Sequence, residues 1–276
     1  MAYSCMPNGG RYTSHTSEEM VQRVDSVLDE FDTLAYSDTL VLVDDVIPLA
    51  ADESFSDFFF NFMTDDEYQS ERILFPISYY ESDSVMRVAK DDWVFDPIFS
   101  ANESYTVLFD KAEDMELERD TSITSVQVDW IYLDSVSFKR YYFEKKAERW
   151  MLEAINKGKL KTKESQEDFY TFFNQFAVDS VFQRERLNNP LLFVTTDPED
   201  DFNILETILE DGQWFAFRPP MMQHRLTNIR YGQKESMDSN AKIVEFKGVG
   251  NGLSNVLYFR RIGGKWTLTK FEDLSD

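Results

Sequence analysis

Few side chains in this sequence can do proton transfer or nucleophilic work: it holds two histidines and one cysteine. His15 falls in Met1 to Thr16, a Gly-, Ser- and Asn-containing stretch without hydrophobic period that reads as a flexible tail. His224 is then the side chain best placed for acid–base chemistry, beside Arg225 and after the aromatic run Trp214, Phe215 and Phe217. A surface histidine accounts for the same residue more simply. Trp93 and Trp214, with Tyr105 opening a β-rich run, could stack on a ligand, although large aromatics more often plug cores. Asp197, Glu199, Asp200 and Asp201 gather carboxylates, but without the spacing and glycine of a calcium loop, so a solvated turn is expected. Gly248-Val249-Gly250-Asn251-Gly252 has a phosphate loop's glycines, yet β-like sequence follows where a helix N-terminus is needed. It reads as a loop between strands. Zinc lacks ligands, and no Gly-x-Ser-x-Gly elbow is present. The expectation is no metal, no cofactor and no catalytic set.

Cys5 invites a different chemistry. Ala2-Tyr3-Ser4-Cys5 places small residues three and one positions before a cysteine, as at a bacterial lipoprotein processing site. The charged and apolar regions of a signal peptide are absent. Cys5 is therefore either a lipidated residue or a plain tail thiol, and a single cysteine forms no internal disulfide.

Bulk composition narrows the partners. Hydrophobic residues make up 42% of the 276 positions and phenylalanine alone occurs 24 times, enough to build real cores. The net charge of -23 repels polyanions, which argues against nucleic acid. No run of about 18 apolar residues is present to span a membrane.

What must position any site is a repeated frame. Glu53, Phe55, Phe58, Phe59 and Phe62 match Glu167, Phe169, Phe172, Phe173 and Phe176 at one constant offset. Asp65, Gln69, Glu71, Arg72 and Pro76 match Asp179, Gln183, Glu185, Arg186 and Pro190 at the same offset. Tyr142, Phe143, Trp150 and Leu152 match Tyr258, Phe259, Trp266 and Leu268 slightly further apart, and Trp93 and Thr106 match Trp214 and Thr227. The expected organisation is a tail over 1–16, a first α+β unit over 17–155 and a second over 156–276, linked near Asn156 to Gln166.

Each phenylalanine set falls at i, i+3, i+4 and i+7, one face of a helix. Asp65 and Asp179 are set to cap a second short helix, which Pro76 and Pro190 are expected to end. Short β-rich runs follow, and the second half closes on a hairpin turning at Gly263-Gly264. Lys146-Ala147-Glu148 stands there in the first half, so a different turn is expected. Glu71-Arg72 and Glu185-Arg186 read as structural pairs. Thr16 and Glu19 open one further amphipathic helix carrying Met20, Val24, Val27, Leu28 and Phe31.

The phenylalanine set with its Asp, Gln, Arg and Pro, the ending Tyr258-Phe259-Arg260-Arg261, Lys265-Trp266 and Phe271-Glu272-Asp273, Asp197-Pro198-Glu199-Asp200 and Gln213 to Pro219 together resemble a Bacteroidetes family labelled a domain of unknown function. The resemblance runs from about Asp52 to the C-terminus. It implies nuclear-transport-factor-2-like (cystatin-like) units, helices packed on curved antiparallel sheets, and an exported lipoprotein in a Gram-negative cell envelope. It carries over no ligand or catalytic residue. The expected function is non-catalytic binding of a small molecule or envelope protein, in a unit's pocket or the groove between units. Trp93, Tyr105, Trp214, Phe217, His224 and Arg225 are the candidate contacts. The alternative is an isomerase or hydratase acting on a small apolar molecule in the second unit's pocket, and a third reading is a purely structural envelope protein.

Overall fold

The computed structural model describes residues 54–161, 166–210 and 212–276, without the side chains of 201 and 202. Cys5, His15, the tail, the capping-box helix and Glu53 lie outside the described residues.

The phenylalanine periodicity becomes helix α1, Phe55–Thr64, which Ser54 caps by accepting the Asp57 N–H. Asp65 accepts the Tyr68 N–H at 2.9 Å and starts α2, Asp66–Glu71. Strands β1 (Ile73–Glu81), β2 (Ser84–Val88), β3 (Ser104–Phe109), β4 (Ser125–Tyr132), β5 (Ser137–Lys146) and β6 (Arg149–Lys159) follow. The second half repeats the order: α3 (Phe169–Val178), α4 (Ser180–Glu185), β7 (Leu187–Asp197), β8 (Asp200–Leu209), a short α5 (Trp214–Phe217), then β9 (Arg225–Arg230), β10 (Ala241–Gly248), β11 (Ser254–Ile262) and β12 (Lys265–Asp273). Asn156 to Lys159, expected in the linker, instead extend β6 against β5.

The prolines also fall elsewhere than expected. Helices α2 and α4 stop at Glu71 and Glu185, and Pro76 and Pro190 lie inside β1 and β7. Each sits where the strand slips register against its parallel neighbour, β6 or β12, since a residue without an N–H cannot serve a ladder. These parallel pairs make the sheets mixed rather than wholly antiparallel. Gly263 and Gly264 turn the β11–β12 hairpin at φ 58° and 82°, and Ala147 and Glu148 adopt the same left-handed conformation at 47° and 64°. The first half therefore uses the same turn without glycine.

Two cores result. Phe55, Phe58, Phe59 and Phe62 pack on Phe143, Trp150 and Leu152, and Phe169, Phe172, Phe173 and Phe176 pack on Phe259, Trp266 and Leu268. Each buried phenylalanine contributes about 2 kcal/mol of transfer free energy.

The sheets themselves do not follow the two halves of the chain. One runs β2-β1-β6-β5-β4-β9 and the other β3-β10-β11-β12-β7-β8, so each half lends its partner the outermost strand. The lent strands cross at Thr106 and Thr227. Thr106 Oγ1 donates to the Thr227 carbonyl (2.7 Å) and accepts its N–H (3.0 Å), while Thr227 Oγ1 serves the Thr106 carbonyl and N–H in the same way (3.0 and 2.5 Å). Asn228 accepts the Leu108 N–H and Gln233 donates to the Ile229 carbonyl, so side chains satisfy backbone edges that no further strand covers among the described residues.

Candidate functional site

The six residues singled out as ligand contacts do not converge. Trp214 is fully buried in the second core and donates its indole N–H to Gln183 at 3.1 Å. Half-buried Trp93 does the same to Gln69, also at 3.1 Å. Each glutamine is itself buried and donates to the last turn of the phenylalanine helix, at the Phe62 or Phe176 carbonyl. Each tryptophan is thus tied through its indole N–H to the glutamine that joins the two helices of its half. Tyr105 stacks on Phe99 in the first core. Phe217 is exposed and leans on Phe193. His224 is exposed, sits at φ 64° and pairs with Asp134 at 3.0 Å, while Arg225 covers the Trp130 ring. The structural reading of the arginines holds with a different partner: Arg186 forms a two-pronged bond to Glu167 (3.0 and 2.7 Å), not to Glu185.

A cavity of about 470 Å³ opens instead between the outer face of the first sheet and the helix that covers the second. Alternation along β5 builds one wall. Tyr141 and Phe143 point into the first core, so Phe138 and Arg140 face outward into the cavity. The Phe138 ring lies over Gly158, where any Cβ would come within 2.8 Å of it. Phe169 and Tyr170 at the start of α3, with Trp266 on β12, form the facing wall.

The floor is a chain of buried charges. Asp129, a lone acid in the apolar run of β4, is fully buried and meets Arg140 (2.6 Å) and Arg230 of β9 (2.8 Å). Arg230 reaches on to Glu235 (2.7 Å), Glu235 to Lys242 (2.9 Å), and Lys242 to Asp110 (2.6 Å). Tyr170 donates its hydroxyl to Glu235 at 2.5 Å. Burial alone would raise the Glu235 pKa, but Lys242, Arg230 and the Tyr170 hydroxyl together hold it at about 2. Burial and the neighbouring Glu235 carboxylate push the Tyr170 phenol well above its ordinary value. The Arg140 guanidinium is held charged, because its bonds to Asp129 outweigh the penalty of burial. Glu235 therefore stays ionised and Tyr170 protonated near neutral pH.

At the rim, Arg261 lies 4.4 Å over the Trp266 ring and donates to the Glu167 carbonyl at 2.9 Å. Lys159 donates to the Ser135 carbonyl at 3.0 Å. None of the six expected contacts lines this cavity. The sequence signal for it was a set of charged residues inside strand-like runs, Asp129, Arg140, Arg230 and Lys242, scattered too widely for any motif.

Two helices over a curved mixed sheet, given twice, define an α+β protein of nuclear-transport-factor-2-like fold. The crystal structure of an NTF2-like protein from Bacteroides fragilis NCTC 9343 is 49% identical, covers 83% of this chain and 99% of its own, and superposes with a TM-score of 0.80. The chain belongs to the family described as a domain of unknown function (DUF4348), whose model matches residues 36–273. No curated protein matches it. Among the described residues, no helix is long and apolar enough to cross a membrane.

Proposed function

We propose that this protein is a non-catalytic binding module that holds a small organic molecule in the cavity between the first sheet and α3. The carrying observation is the combination of a hollow of about 470 Å³, an apolar lining of Phe138, Leu160 and Met237, and a charge network already paired within the protein. Pockets of this size take metabolite-sized ligands. A general base works best with a pKa near the working pH, and Glu235 at about 2 is too weak a base for that role. That is why binding is preferred over an isomerase or hydratase acting on a small apolar molecule, which the NTF2-like fold alone would equally accommodate. His224, the residue that reading leaned on, is exposed and engaged with Asp134.

The repeated order of elements supports an origin by duplication of one unit, with a strand exchanged between the copies. Export, with Cys5 as the lipid-bearing residue in a Gram-negative envelope, belongs to the same proposal and rests on the tail motif and the family resemblance.

Native mass spectrometry of protein gently purified from its source cells tests the binding reading. The expected result is an extra mass of a few hundred daltons that denaturation removes and that Met237→Trp, which fills the rim, abolishes. A bare chain mass, or an adduct indifferent to that substitution, overturns it.

A further inference from the structure

Resting on the binding reading of this cavity, we propose that its ligand is an organic anion, with an apolar body against Phe138, Leu160 and Met237 and an acid group held by Arg261 and Lys159. Most of the charges lining the cavity are already spent. Arg140, Arg230 and Lys242 are neutralised by Asp129, Glu235 and Asp110. Of the lining acids, Asp168 is used as the cap of α3, accepting the Thr171 N–H at 2.9 Å. Glu167 accepts from Arg186 and from the Trp266 N–H at 2.6 Å, so one carboxylate faces two guanidiniums, those of Arg186 and Arg261.

Among the described residues, the cations at the rim have no carboxylate to themselves. Lys159 bonds to a neutral carbonyl, and Arg261 bonds to another while its buried Nε meets no acceptor among the described residues. Exposed Lys161 adds a further positive charge at the same rim. On a chain with a net charge of -23, an unspent cationic edge is a local reversal of sign, and low-dielectric aromatic walls strengthen its pull on an anion. Phe138, Leu160 and Met237 supply apolar surface that a bare inorganic ion could not use. A nucleic acid is a poor fit, because the surrounding surface repels a long polyanion. A carboxylate, sulfonate or phosphate on a compact apolar skeleton matches both parts. A guanidinium held by stacking on Trp266 offers such a group a charge already fixed in place.

Two fluorescent probes with the same aromatic body separate charge from shape: 8-anilinonaphthalene-1-sulfonate and its uncharged counterpart N-phenyl-1-naphthylamine. Titrating each into the full chain, wild-type protein should bind the sulfonate about tenfold more tightly than the neutral amine, as expected for one charge-assisted contact. Lys159→Gln and Arg261→Gln should each erase most of that difference and leave the neutral probe unchanged, and raised salt should weaken the sulfonate alone. Lys159 is exposed, so its variant tests the seat even if Arg261→Gln disturbs packing on Trp266. Equal affinity for the two probes, both displaced by Met237→Trp, would overturn the anion seat while sparing the cavity. Failure of wild-type protein to bind either probe, or binding that Met237→Trp leaves intact, would overturn both.

Discussion

Glu235 shows how a single side chain sets the acid tolerance of the cavity floor. Its folded pKa of about 2 lies below the ordinary value of 4.5. A depressed carboxylate contributes stability that is fully present above pH 4.5 and is lost as pH falls towards 2. The difference corresponds to about 3 kcal/mol. Glu235→Gln should therefore lower stability by roughly that amount at pH 7, and the gap to wild type in urea melts should close as pH drops from 4.5 towards 2. A gap that stays constant over that window would mean that Glu235 is not held ionised by Lys242 and Arg230. Some of this scale was legible in sequence. The repeated Gln69 and Gln183 were visible, as were Trp93 and Trp214. That the glutamines hold the indole N–H groups was not, because the bond joins residues far apart in the chain. Arg186 was legible as structural, yet its acid was sought in the neighbouring Glu185 when the fold delivers Glu167.

Among elements, the helices were the most readable. A period of 3.6 residues shows a phenylalanine stripe directly, and the aspartate that follows it, Asp65 or Asp179, names the cap of the next short helix. Strands were legible as runs but not in their partners, since alternation states which face is buried and nothing about who lies alongside. Thr106 and Thr227 carry that missing information. Each hydroxyl serves both backbone groups of the other residue at a buried crossing. Valine keeps the shape and removes the hydroxyl, so Thr106→Val or Thr227→Val should each cost about 3 kcal/mol by stranding two backbone groups. Serine at either position should restore most of it. A loss below about 0.5 kcal/mol in chemical denaturation would show that water or a shifted strand takes over these bonds.

For the whole molecule, the exchange of β3 and β9 makes the two halves incomplete when apart. Fragments ending at residue 161 and beginning at residue 166 should each lack a cooperative thermal transition, and should regain one, with native far-ultraviolet circular dichroism, when mixed. A lone fragment that melts cooperatively would show that β3 can return to its own β4. The frame of the molecule was visible in sequence as two runs of matching residues, but the trade of strands was not. The matches record what the halves share, whereas the exchange depends on where each strand ends up. The cavity was hidden for the same reason. Its walls come from β5, β12 and the start of α3, and no local pattern announces a meeting of three distant segments.

The crossing also sets an order of events during synthesis. When the ribosome has delivered β1 to β6, the first sheet still has its β4 edge open, and it stays open until Arg225–Arg230 emerges. Strand β3 must likewise wait for Ala241–Gly248. Throughout that interval the nascent chain presents an unpaired edge rich in apolar side chains, the kind of surface that a neighbouring chain can zip onto. Crowded translation of this message therefore favours entangled dimers, in which β3 of one molecule has found β10 of the next.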